Sequence, residues 1–124
     1  MGEDAELELL LGLDGVSYEA AAGYVVAFSA RRVPRGEHRP HGIAYSLVLR
    51  PKRGGPPFVR FDNAHAVPHR GGRHVRRQAA HDHWHRTEGD PGRPYPFTTA
   101  GQLLDDFWRE VKRTLDEKGI PNDL

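Results

Sequence analysis

Apolar and polar positions change their rhythm along the chain, alternating in short runs through residue 63 and recurring every three to four residues near the end. Glu6-Leu7-Glu8-Leu9 alternates and leads into the apolar run Leu10 to Leu13, followed by Asp14-Gly15, a hairpin-type dipeptide. This pattern predicts a first strand ending at that turn. Ser17 to Gly23 suits more than one conformation. Tyr24 to Val33 has the aromatic and β-branched content of a strand and stops at Pro34, after which residues 35 to 41 read as a polar loop. In Ile43 to Arg50, Ile43, Tyr45, Leu47 and Leu49 alternate with Ala44, Ser46, Val48 and Arg50, and a Gly/Pro-rich turn separates this strand from Phe58 to Asn63. Short turns between consecutive strands favour antiparallel neighbours, so about four to five strands over residues 6–63 form a meander-like sheet.

Near the C-terminus the period lengthens to that of a helix over about residues 99–118. Leu103, Leu104, Phe107, Trp108, Val111 and Leu115 fall on one stripe, while Asp105, Arg109, Lys112 and Asp116 face away. Thr99 and Gln102 stand at capping-box spacing, and Gly119 followed by Pro121 marks the end. The stripe assigns Phe107 and Trp108 to packing rather than to base stacking. The predicted class is α+β: an antiparallel sheet with a C-terminal amphipathic helix packed on one face.

At 124 residues the chain fits one domain spanning residues 1–124, with residues 64–93 as a His/Arg-rich segment between strands and helix. There is no cysteine, which excludes disulfides, thiolate metal ligands and thiol nucleophiles. No apolar run is long enough for a membrane span, and the acidic start MGEDAELELL is unlike a secretory signal, so the expected location is the cytoplasm. The net charge of +1 divides unevenly into −6 over residues 1–30, +9 over residues 31–93 and −2 over residues 94–124. Thirteen of the fourteen central bases are arginine, whose planar fork suits phosphate oxygens. RNA or DNA is the ligand class this favours; solvated arginines without a partner are the plain alternative.

Six of the eight histidines lie between residues 61 and 86. Three uses compete for them. Imidazole and guanidinium together are the equipment for cleaving RNA, a reaction that needs a proton removed from a 2′-hydroxyl, a proton delivered to a leaving oxygen, and fixed positive charge for the phosphate. On this reading His83 and His85 are the acid/base candidates, with Asp62 orienting one of them and Asn63 donating a hydrogen bond to substrate. Arg60, Arg76, Arg77 and Arg86 hold phosphates. No resident metal or other cofactor is assigned on this reading. A second use is a divalent metal at His81, His83 and His85, since alternate residues of an extended segment share a face. The third is a solvated loop on a non-catalytic module that binds nucleic acid or another partner. Trp84 between His83 and His85 favours an ordered strand there, with both histidines opposite the tryptophan.

These residues resemble the TumE-type toxins of prokaryotic toxin–antitoxin pairs. The resemblance is carried by Arg60-Phe61-Asp62-Asn63, His83-Trp84-His85, Tyr95-Pro96-Phe97, and the helix run Leu103-Leu104-Asp105-Asp106-Phe107 with Val111. It covers roughly residues 43–115 and, more loosely, the N-terminal strands. The stretch between Asn63 and His83 is long and carries His65, His69 and His74, so His65 competes with His83 and His85 for the family's histidine positions. The resemblance implies a growth-inhibiting toxin acting on RNA and neutralised by a helix-turn-helix antitoxin. Homodimerisation through a sheet edge or the acidic N-terminal segment is left open.

Overall fold

The computed structural model describes residues 2–36, 41–63, 83–85 and 93–124. It begins with a helix, α1 (Gly2–Gly12), where alternation predicts a strand. The alternating run is only four residues long, whereas Leu7, Leu10 and Leu11 sit at the i, i+3, i+4 spacing of a helical face, and Glu and Leu are strong helix formers. Leu10 is fully buried and Leu7 and Leu11 pack against the core, while Leu9 is 61% exposed. Asp14-Gly15 does make a tight turn, but between helix and sheet. Gly15 takes a positive φ of 81° and donates its N–H to Phe28 O, and the Asp14 carboxylate accepts from Ala30 N at 3.0 Å.

Six strands follow: β1 (Ser17–Ala21), β2 (Tyr24–Arg32), β3 (Ile43–Pro51), β4 (Val59–Asp62), β5 (His83–His85) and β6 (Arg93–Pro94). Their order in the sheet is their order in the chain, and every pair is antiparallel. The meander is as predicted, but it starts at β1 in the segment that suits more than one conformation rather than at residue 6, and it continues past residue 63 through β5, the strand that Trp84 favours, to β6. Strand alternation gives the sheet two different faces. Val26, Phe28, Ala30, Tyr45, Leu47, Leu49, Val59 and Phe61 are buried on the face covered by the helices. The opposite face has no helix on it among the described residues.

The second helix, α2 (Ala100–Glu117), lies on the core face with Leu103, Phe107, Val111 and Leu115 fully buried. Phe107 meets Phe28 edge-on at 5.7 Å and Phe61 edge-on at 6.0 Å, the arrangement that ring quadrupoles favour. Both ends of α2 are closed by the residues that mark them in the sequence. Thr99 Oγ1 accepts from Gln102 N at 3.1 Å. The Gln102 side chain reaches Asp106 instead of returning to Thr99, so one half of the capping box forms. At the other end Ile120 N bonds to Leu115 O and Gly119 N to Asp116 O, with Gly119 at φ 72°, a Schellman closure. A carboxylate from α1 also reaches the start of α2: Glu6 Oε1 accepts from Gly101 N at 3.2 Å, where the helix dipole favours negative charge. A Cβ at position 101 would lie 2.6 Å from the Glu6 carboxyl carbon, so glycine permits this approach.

On the β1–β2 hairpin, Lys52 Nζ donates to Glu19 Oε1 at 2.6 Å, and Gly23 N to Glu19 Oε2 at 3.4 Å. The Lys52 hydrogen bond, followed by that from Gly23, holds the Glu19 carboxyl below its ordinary 4.5, and the same pair raises Lys52. Because the folded carboxyl titrates lower than the unfolded one, its stabilisation is present above the ordinary value and disappears as pH falls through the lowered one. The lysine's share disappears at the alkaline end, as pH rises through its raised value. Glu19→Gln is therefore expected to have a slightly lower thermal midpoint than wild type at neutral pH, with the two curves converging in acid. Both side chains are exposed and screened, which keeps the effect small.

Candidate functional site

The site begins with the alternation of β4. Val59 and Phe61 point to the helices, so Arg60 and Asp62 point to the helix-free face. In the next strand Trp84 stacks on Phe61 with ring centroids 5.5 Å apart, which turns His85 to the same side as Arg60. Strand register then sets Arg60 directly opposite His85, and Asp62 opposite His83. The aromatic residues of the short motifs come together on the other face: Phe61 also meets Tyr95 edge-on at 5.2 Å and Phe107 as described. One set of motifs builds both the hydrophobic anchor of β4 and β5 and the polar cluster behind it.

Arg60 stands at the centre of that cluster. Its Nη2 lies 2.9 Å from His85 Nε2, and its Nε lies 2.9 Å from Asp62 Oδ2. Asp62 Oδ2 is 4.0 Å from His85 Nε2, beyond hydrogen-bond length. The Arg60 side chain is 40% exposed, whereas those of Asp62 and His85 are 7% and 9% exposed. A guanidinium at the surface therefore covers a buried carboxylate and a buried imidazole. A buried carboxylate is tolerated only with such compensation, which makes Arg60 part of the structure as well as part of the surface.

Asn63 occupies the position just past β4 and continues its pairing with β3. Its N–H donates to Tyr45 O at 3.2 Å, its Oδ1 accepts from Tyr45 N at 2.9 Å, and its Nδ2 donates to Ile43 O at 2.9 Å. The carboxamide imitates one more backbone rung. Asn63 is 2% exposed and is engaged with the sheet rather than turned to solvent. Its position braces the end of the strand that carries Arg60 and Asp62.

His83 pairs through its backbone with Asp62 on one side and Pro94 on the other. Its side chain, together with His65, His81, Arg76, Arg77 and Arg86, lies outside the described residues, as does any metal site that uses His81 and His83. Two arginines that the motifs do not single out share the face of Arg60. Arg31 alternates with buried Ala30 on β2, and Arg50 alternates with buried Leu49 on β3. Neither has a carboxylate partner among the described residues, whereas Arg32, on the helix side, pairs with Glu8 at 2.6 Å. Alternation in Ile43 to Arg50 already separates Arg50 from the core positions, so the sequence itself carries this signal. No helix among the described residues is long and apolar enough to cross a membrane.

Fold and site define a small α+β protein whose meander sheet is covered by helices on one side and carries an arginine–histidine–aspartate cluster on the other. The family model for toxin TumE matches residues 14–115, from the turn after α1 to the last buried leucine of α2, and the chain belongs to that family. It is thus a toxin, and a cognate antitoxin is its implied partner. No curated protein and no solved structure matches the chain.

Proposed function

We propose that this toxin cleaves RNA on the helix-free face of its sheet. The observation that carries the reading is the contact of Arg60 with both His85 and Asp62 on a face that also bears Arg31 and Arg50. In this scheme the arginines hold consecutive phosphates, and Arg60 places one of them beside the imidazole. His85 takes or returns a proton as the 2′-hydroxyl attacks the adjacent phosphorus. His83, opposite Asp62 in register, is the second acid/base candidate, and Arg76, Arg77 and Arg86 add phosphate contacts. Asp62 acts through Arg60, and Asn63 keeps the strand end in place. Attack by the 2′-oxygen forms a bond to phosphorus and breaks the bond to the 5′-oxygen, which leaves with a proton. The products carry a 2′,3′-cyclic phosphate and a 5′-hydroxyl. A cytoplasmic RNA substrate and a helix-turn-helix antitoxin, as the family resemblance implies, complete the reading.

The test is cleavage of end-labelled RNA by purified protein, with the product ends identified. Cyclic phosphate and 5′-hydroxyl ends, formed equally with and without chelator, are the expected result. RNA bound but uncut would replace this reading with that of a non-catalytic binding module. Cleavage dependent on a divalent cation, leaving 5′-phosphates, would favour a metal-dependent nuclease. Binding is expected to weaken steeply with salt. Removing Arg31 or Arg50 is expected to flatten the logarithmic salt slope by about 0.7 for each single-strand phosphate that is no longer neutralised.

A further inference from the structure

We propose that Arg60 fixes His85 as the tautomer protonated on Nδ1, and that its guanidinium covers the basic nitrogen Nε2 until a phosphate group draws it away. The first half follows from donor chemistry. A guanidinium offers five N–H donors and no acceptor, and it stays charged in proteins. At 2.9 Å from Arg60 Nη2, His85 Nε2 can only accept. A ring protonated on Nε2 would set two N–H groups against each other. The proton of the neutral ring therefore sits on Nδ1.

Asp62 is placed to support this arrangement through the arginine rather than through the histidine. Its Oδ2 lies 2.9 Å from Arg60 Nε but 4.0 Å from His85 Nε2. The chain of contacts runs from carboxylate to guanidinium to imidazole. A carboxylate hydrogen-bonded directly to Nε2 would require a proton there and would impose the opposite tautomer. Asp62 and Arg60 are thus positioning residues for the nitrogen that exchanges the proton.

The second half, which rests on the proposed cleavage of RNA, comes from exposure. Arg60 is the solvent-facing member of the three, and its Nη1 has no partner among the described residues. A phosphate oxygen pair forks naturally onto Nη1 and Nη2. Taking Nη2 for the phosphate withdraws it from His85 and bares Nε2 next to the bound phosphodiester. The guanidinium then leaves Nε2 only when a phosphate group occupies the arginine.

Nitrogen-15 spectra of the full chain labelled at histidine test both halves, because they distinguish protonated from bare ring nitrogens. Wild type is expected to show His85 protonated on Nδ1 and bare at Nε2. Arg60→Ala is expected to lose that preference and show a mixture of tautomers. Arg60→Lys, which keeps a charged donor, is expected to retain it and also serves if the alanine variant fails to fold. A wild-type ring protonated on Nε2, or a folded alanine variant with the wild-type pattern, would overturn the tautomer assignment.

Inorganic phosphate and a 2′-O-methylated RNA, which cannot be cut at its blocked hydroxyls, are then added to wild type. Both are expected to shift the Nε2 resonance toward that of an uncovered nitrogen. No shift with either would overturn the covering role. A shift with inorganic phosphate but not with the RNA would sustain the covering role and remove RNA as the ligand, which separates this inference from the cleavage reading.

Discussion

Asn63→Ala is expected to unfold at much lower denaturant than wild type, losing about 2–6 kcal/mol of stability. The figure comes from two buried backbone groups, Tyr45 N–H and Ile43 C=O, each left without the carboxamide at a cost of about 1–3 kcal/mol. Against a total stability of roughly 5–15 kcal/mol for a domain, that loss is severe. Urea unfolding followed by Trp fluorescence measures it, with the midpoint falling and the slope unchanged. Asn63→Asp restores the acceptor for Tyr45 N–H but sets a charge against Ile43 O, so it is expected to recover little. The result also decides what the residue does. A substrate donor would lose rate and keep its midpoint; a strand brace loses midpoint, and the fraction still folded cleaves RNA at the wild-type rate.

His85→Ala is expected to show the reverse pattern. Loss of a positioned proton-transfer group lowers rate by about 10²–10⁴-fold. Single-turnover cleavage of one RNA, with affinity measured on the 2′-O-methylated analogue, separates rate from binding. The phosphate contacts proposed for Arg31, Arg50 and Arg60 do not depend on the imidazole, so affinity is expected to stay within a few-fold of wild type. The Arg60–Asp62 pair also survives, so the buried carboxylate keeps its guanidinium and the fold is expected to hold. An unchanged cleavage rate in His85→Ala would take the acid/base role away from this residue. A rate loss matched by an equal affinity loss would make His85 a binding contact only.

The contrast between Asn63 and His85 shows what the sequence made legible. Asp62-Asn63 at a strand end reads as a polar pair turned to the site, one residue orienting a histidine and the other donating to substrate. Only the folded chain shows that one side chain turns into the sheet and imitates its backbone, because a carboxamide can replace a peptide group wherever a ladder has one rung to spare. His85 could be placed opposite Trp84 from alternation alone. Its pairing with Arg60 could not, because 25 residues separate them and alternation alone does not fix the register between β4 and β5. Where turns are short, as between β3 and β4, strand order and faces follow from the pattern.

The helices repeat the lesson. In α2 the apolar stripe, Thr99 and Gly119 all indicate the same element, and it forms where they place it. In α1, four alternating residues resemble a strand although Leu7, Leu10 and Leu11 lie on one helical face. Burial against the core decides between two periods that so short a run cannot separate. The match to the TumE family begins after this helix, at residue 14, so the motifs that carry the resemblance gave no help with it.

The Glu6–Gly101 hydrogen bond joins two helices whose contacting residues are 95 apart in the chain, whereas each strand pairs with the next one along. Entropy opposes closing so long a loop only weakly more than a short one, by about 0.6 kcal/mol per doubling, but nothing rewards the closure until α2 exists. During synthesis, at roughly 5–20 residues per second, α1 and the sheet leave the ribosome before α2, and Phe28, Leu47 and Phe61 wait without that helix. The nascent toxin is therefore expected to be a chaperone client before it is a folded protein. Its stability and its completed site should then arrive together, when α2 docks and joins α1.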